Sequence, residues 1–523
     1  MNRSDVRAHA VGNRSSRFRF RPSVLLEMRF RQLAGAGSFV LLAWTAAALL
    51  DGPLLVFGQD VSPVPSSKVE RKNLAPVSKE NVRVRLPRPV EAKLANGLTV
   101  LILEDHRLPH VLSELHLRGA GALFEPENLA GLASATAQML REGTDQRTSR
   151  QIAEELDRLG ASVGAGSGFG SVETVFSASG LSENFDAWFG VALDILLHPS
   201  FPTAELNQLK ERAKVQLRQQ RARPRFLAGE RFNRAVFGNH PAAVVTSTLE
   251  SINALTPELL FKWHRERYSP RDAVLAFAGD VSPSELLPRL EKWMADWQNG
   301  SGNRRLPANP VPASAGKIYL VDRPNSVQTT LTLGNIAIDR RSEDFVPMVV
   351  MNHLLGGGPA GRLFLNLREE KGYTYGAYSG FTAVEYPGPW SAGADVRTEV
   401  TEGALTEFLD EIRRIRETQV SEGELAATKR SVVAGFALAL EQPARVLAFA
   451  LTRKFYDLPD DYWEAYPAKV AAVTAGDVQR VARKYLNPET MQIVAVGDGG
   501  KIKPTLEEFG TVEVYAGDGK RVP

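Results

Sequence analysis

Two stretches of the 523-residue chain carry polar side chains at spacings that could do chemistry. The first, residues 128–144, reads NLAGLASATAQMLREGT. Asn128 suits a helix N-cap, and Leu129, Leu132, Ala133, Thr136, Met139 and Leu140 share one helical face. Ser134, Ala137, Gln138 and Arg141 fall on another. A hydroxyl, a methyl and a neutral amide offer neither a strong metal ligand nor a base. Ser134 as a nucleophile needs a nearby base, and no G-x-S-x-G or comparable arrangement accompanies it.

The second stretch, residues 352–381, reads NHLLGGGPAGRLFLNLREEKGYTYGAYSGF. Arg368 and Tyr375 stand seven residues apart with Gly372, a plausible helix terminator, between them. That spacing predicts Arg368 on the last turns of a helix and Tyr375 on the following strand. A guanidinium and a phenol are both hydrogen-bond donors, able to stabilise negative charge that develops beside them. The same pattern also fits Arg368 pairing with Glu369 or Glu370 on a solvated helix. In that reading Tyr375 alternates with Tyr373 in a half-buried strand. The loop Gly356-Gly357-Gly358-Pro359-Ala360-Gly361 is followed by Arg362 rather than G-K-[ST], so it is no P-loop. The glycines from Gly164 to Gly170 do not fit G-x-G-x-x-G, which excludes a dinucleotide site.

Other metal sites find no support. There is no cysteine, which rules out disulfides, thiolate ligands and a cysteine nucleophile. His106 and His110 are four apart, but Pro109 keeps them off one helix face. His116 lies in a predicted strand, and His198, His240, His264 and His353 stand alone. Of the formal charge of +3, residues 1–58, with eight arginines and three acids, hold +5 and the remainder −2. A near-neutral remainder argues against nucleic acid as a partner.

The elements that must position these residues follow from an internal repeat. Thr256 and Thr474 each open a helix and are 218 apart. Tyr268 and Tyr485, near the ends of those helices, are 217 apart, and Gly279 and Gly497, ending the strands that follow, are 218 apart. Asp105 and Asp322 close the opening strands, and Glu205 and Glu424 start mid-domain helices, at offsets of 217 and 219. The expected architecture is α+β, a tandem of two homologous domains, each an antiparallel sheet packed with helices. Its expected boundaries are 85–298 and 316–520, joined by the Asn/Gly/Ser/Pro-rich segment 299–315. Ahead of them, residues 33–50 carry no charge and follow Arg29 and Arg31, which fits a signal peptide or membrane anchor within 1–58. Cleavage before Gln59 and a start at Met28 are both compatible with that leader, and 59–84 reads as a linker. The chain is therefore expected to be exported: periplasmic, or anchored on the outer side of the inner membrane.

The pattern G-L-A-x-x-x-x-x-M-L-x-E-G-T resembles the zinc-site helix of the pitrilysin, insulysin and mitochondrial processing peptidase family, the inverted zincins. Residues 352–381 resemble the same family's second-domain signature. The resemblance implies a processing-peptidase-like metalloenzyme fold of the kind also found in LuxS. In active members the middle of the first motif is H-x-x-E-H, with two zinc-binding histidines and a general-base glutamate. Here Ser134 and Gln138 occupy the histidine positions and Ala137 the glutamate position. The third ligand, a glutamate seven residues after another acid, is matched by Arg218 following Glu211. The resemblance thus implies a degenerate zinc site and no metal in this chain. It further implies that Arg368 and Tyr375 project into an active site whose zinc belongs to an H-x-x-E-H-bearing partner subunit. Gly356, Gly357 and Gly358 would lie in a flexible loop near an unfolded or extended peptide. Gly166 and Gly168 would lie in the edge strand that pairs with it. The alternative is a non-catalytic peptide-binding or structural scaffold of the same fold.

Overall fold

The landmarks that repeat in the sequence fold as two sheets with one plan. The computed structural model describes residues 84–523, so the expected leader and all but the last residue of the linker 59–84 lie outside the described residues. The first sheet comprises β1 (Val90–Lys93), β2 (Thr99–Glu104), β3 (His110–Arg118), β4 (Ser162–Gly166), β5 (Glu173–Leu181) and β6 (Val274–Gly279). Its spatial order is β1-β2-β6-β3-β5-β4. The second comprises β7 (Lys317–Asp322), β8 (Gln328–Ile336), β9 (Thr374–Ala383), β10 (Pro387–Arg397), β11 (Gln492–Gly497) and β12 (Val512–Tyr515), in the order β12-β7-β11-β8-β10-β9. Position for position β2-β6-β3-β5-β4 matches β7-β11-β8-β10-β9, which leaves β4 and β9 as corresponding free edges. The repeated helices also appear where expected, as Pro257–Arg267 capped by Thr256 and Ala475–Tyr485 capped by Thr474.

The sheets are mainly antiparallel, with one departure from the sequence expectation. β2 and β6 run parallel, as do β7 with β11 and β7 with β12. β6 and β11 each return after a long helical crossover, which permits parallel pairing, and alternation within a strand carries no information on direction. Strand chemistry follows from burial. In β3, Val111, Leu115 and Leu117 point to the helix-covered core while Glu114 and Arg118 face away from it. β11 is buried along its whole length, a sign that both faces of the sheet are covered there.

An exchange of helices covers the second faces. The Pro224–Phe237 helix, from the first half of the chain, lies on the second sheet, where Leu227, Phe232 and Val236 pack with Tyr319, Val494 and Val496. In return, the Pro443–Phe455 helix of the second half sets Val446, Leu447 and Leu451 against Leu101, Leu103 and Ala276 of the first sheet. Both helices open on proline, whose fixed φ suits a first helical position, and those prolines are 219 apart. The segment 299–315 therefore joins two halves that already share two cores. Its start is pinned to the first half: Gly302 N–H donates to Glu266 O (3.0 Å) and Arg304 Nη1 to Arg271 O (2.6 Å). Calorimetry of the folded body is expected to show one cooperative transition; two well-separated transitions would mean that the exchanged helices do not couple the halves.

Candidate functional site

The first candidate element is the Leu132–Met139 helix, and a buried carboxylate sets its start. Asn128, expected to cap it, lies instead in the short turn Glu127–Leu129. The N-cap is Gly131, in the left-handed region at φ 98°, where a side chain would be strained. Glu125 reaches back to accept hydrogen bonds from Gly131 N–H (2.8 Å) and Ala133 N–H (2.6 Å). Burial pushes the Glu125 carboxyl up to about 7, against those two bonds. Leu132, Ala133, Met139 and Leu140 enter the core. Ala137 is fully buried, while Gln138 is exposed and donates through Nε2 to Ser134 Oγ at 2.9 Å. The two positions expected to match the family's histidines thus hydrogen-bond each other.

The facing helix, Thr203–Arg221, presents Leu209, Arg212, Ala213 and Gln216 to this site. Arg218, expected at the third-ligand position, is not among the lining residues; it lies two residues, about 200°, round the helix from Gln216. Sequence reasoning fixed on the acid-to-acid spacing and missed Arg212 and Gln216, which the i, i+4 stripe through 212, 216 and 220 would have indicated. Two cavities flank Gln138. One of about 370 Å³ includes Gly131, Ser134 and Gln216, and one of about 310 Å³ includes Ala137, Arg141 and Gly164; Arg212 lines both. A hydroxyl, neutral amides and guanidinium groups do not make a zinc donor set, so the metal does not fit this site. Among the described residues no other cluster of three His, Asp or Glu side chains is placed to hold a metal.

β4 borders the same site. It pairs only with β5, leaving its other edge free, and Gly164 and Ala165 line the smaller cavity. Gly166 is the last residue of β4, but Gly168 lies two residues beyond, in the loop that turns toward β5, and not in the edge strand. A Cβ at Gly166 or Gly168 would meet nothing within 4 Å.

In the second half the glycine loop is held at its base and open at its tip. Gly356 ends the Phe345–Leu355 helix, and the N–H groups of Gly356 and Gly357 both donate to Asn352 O at 2.9 Å. A Cβ on Gly356 would lie 2.6 Å from Ser379 N, and one on Gly357 2.6 Å from His353 Cα, whereas Gly358 faces open space. Arg362 then anchors the chain through two bonds to Glu424, at 2.7 and 2.8 Å.

Residues Leu365–Glu370 form a π-helical turn, a widened turn that re-aims its side chains. Gly372, at φ 63°, ends it, and Tyr375 follows on β9 as expected. The Arg368 guanidinium carbon sits 4.9 Å from the ring centroids of both Phe364 and Tyr375. Its Nε is 3.5 Å from Glu369 Oε1, so the solvated ion pair and the Arg/Tyr contact coexist. Tyr375 is 88% exposed. The structure thus brings Arg368 and Tyr375 together, while neither lines the cavities beside Ser134 and Gln138, which are built from first-half residues alone.

A polar seam joins the halves beside the exchanged helix. His116 Nδ1 is 3.1 Å from Glu173 Oε1 and its Nε2 3.5 Å from Glu114 Oε2, with the Phe455 ring 5.1 Å away. Arg118 stacks on Phe455 and pairs with Glu385 at 2.8 Å. Burial works against the His116 proton, but the two carboxylates outweigh it and raise the imidazole to about 9. A raised pKa means that stability is fully present below about 6.5 and lost as pH rises through about 9. Urea unfolding is expected to lose up to about 3 kcal/mol between pH 6.5 and 9.5. His116→Gln should flatten that slope, and an unchanged slope in the variant would refute the assignment.

Comparison with known proteins agrees with this fold. A family model described as insulinase (peptidase family M16) matches residues 105–244, and one described as the peptidase M16 inactive domain matches residues 254–432. The uncharacterized zinc protease YmxG of Bacillus subtilis is 26% identical over 352 residues, spanning 66% of this chain and 83% of that one. A crystal structure of a peptidase M16 inactive domain from Pseudomonas fluorescens superposes with a TM-score of 0.73 at 28% identity, covering 78% of this chain and 98% of that chain. A protease from Helicobacter pylori shares the fold, at TM-score 0.71 and 17% identity over 79% of this chain and 100% of that one. With both family models matched, one of them the inactive domain, and an M16 inactive domain among the solved structures it resembles, the chain belongs to peptidase family M16, as a member of its non-zinc type.

Proposed function

We propose that this chain is the non-zinc subunit of an exported, two-chain metallopeptidase. It holds an extended peptide and presents Arg368 and Tyr375 to the zinc site of an H-x-x-E-H-bearing partner. The observation that carries this reading is the Arg368–Tyr375 stack, its phenol exposed and its guanidinium partly so, at the free edge of the second sheet, in a chain whose own zinc positions bear no ligands. Two donors held against each other at the surface can meet a peptide carbonyl on a partner's metal. The open faces of Gly166, Gly168 and Gly358 leave room for a peptide backbone to approach.

The test combines metal analysis with a cleavage assay. The isolated chain is expected to carry no stoichiometric zinc and to cleave nothing, and its mixture with a zinc-bearing M16 subunit is expected to cleave an extended peptide. Stoichiometric zinc in the isolated chain would overturn the assignment. Peptide binding with no effect on the partner's rate would favour the scaffold reading instead.

A further inference from the structure

The degenerate zinc position is concave and rimmed by positive charge. Arg141, Lys210 and Arg212 line the two cavities that flank Gln138, against a single carboxylate, Glu142. Glu142 is occupied in accepting a bond from Ser149 Oγ at 2.9 Å. Lys210 Nζ donates to a neutral carbonyl, Asn253 O, at 3.1 Å, and Arg141 and Arg212 make no ion pair among the described residues. The other polar groups at the rim, Ser134, Gln138 and Gln216, are neutral hydrogen-bonding side chains. Where an active site of this fold would carry a dication and a glutamate, this one carries guanidinium groups and amides.

The position of this rim matters as much as its charge. Gly164 and Ala165 of β4 line the smaller cavity, so a strand added to the free edge of β4 passes beside Arg141 and Arg212. Clefts lined by one sign of charge focus the field on a counter-charge. Guanidinium groups engage carboxylates with two parallel hydrogen bonds. The geometry points to a carboxylate-binding pocket: a peptide lying along β4 places a carboxylate, from its C-terminus or from an Asp or Glu side chain, between Arg141 and Arg212. This inference rests on the peptide-binding part of the proposed function and adds the class of peptide preferred.

Fluorescence anisotropy on the whole chain tests it with four labelled peptides of one neutral, extended sequence. One ends in a free acid and one in an amide; the other two are amidated and carry Glu or Gln at one internal position. The acid or the Glu peptide is expected to bind about tenfold tighter than its neutral counterpart, with an advantage that shrinks as salt rises. Which of the two gains identifies the source of the carboxylate. Arg212→Gln and Arg141→Gln, at exposed positions and checked for folding by circular dichroism, should each erode the advantage. Equal binding of all four peptides, or an advantage intact in both variants, overturns the pocket while leaving peptide binding in place. No binding of any peptide overturns the pocket and the peptide-binding reading together.

Discussion

Arg368→Ala, assayed in complex with a zinc-bearing M16 partner, is expected to lower kcat by about 10²–10³-fold, the loss typical of removing one oxyanion donor. Tyr375→Phe should cost a similar factor. It keeps the ring on which Arg368 stacks and deletes only the hydroxyl donor. Tyr375 is 88% exposed, and the Arg368 side chain, 38% exposed, pairs among the described residues only with the exposed Glu369, so neither change should lower the melting temperature appreciably. KM should change little, because donors that engage the developing oxyanion act in the transition state rather than in the ground state. Arg368→Lys keeps the charge but loses the planar stack on Phe364 and Tyr375, and is expected to recover little activity. Rates equal to wild type in Arg368→Ala and Tyr375→Phe would remove the catalytic part of the proposal.

Phe232→Ala is expected to destabilise the protein by about 3–5 kcal/mol. Phe232 belongs to the exchanged helix Pro224–Phe237 and is 4% exposed in the core formed with Tyr319, Val494 and Val496. Its ring lies against Gly334 of β8, where even a Cβ would come within 3.0 Å, so the sheet backbone forms one wall of the space it fills. A wall of paired strands relaxes little, and the cavity would stay open. Leu447→Ala, fully buried on the reciprocal helix, should cost about 2–5 kcal/mol. Leu108→Ala, at a 70% exposed position, should change stability by less than about 0.5 kcal/mol and serves as the control. Chemical unfolding measures all three, and a Phe232→Ala midpoint close to the control's would mean that the exchanged helix contributes little.

Much of the fold was legible because a repeat imposes the same element order twice. Landmarks 217–219 residues apart led to two sheets in which five of the six strands correspond. The helix carrying Ser134 and the helix-to-strand passage from Arg368 to Tyr375 were legible too, since both depend on local periodicity and on a glycine at the right place. Four features were not. The parallel pairs depend on which end of a sheet a returning strand enters. Glu125 replaced Asn128 as the helix cap because a carboxylate three residues farther off could fold back under the turn. Gly168 fell beyond β4 because the strand ends where its pairing with β5 ends. Arg218 left the site because the facing stripe of its helix runs through 209, 212 and 216, a choice made by packing.

The sequence by itself determined which chemistry is absent at residues 134, 137 and 138 and which donors remain at 368 and 375, because ligand and donor capacity belong to the side chain wherever it sits. Only the tertiary structure decided that the halves exchange helices, that Arg368 stacks on Tyr375, and that Arg141 and Arg212 line one cavity with Ala137 and Gln138. Those outcomes depend on contacts between residues far apart in the chain. They are settled by burying apolar faces against one another, which no local spacing encodes.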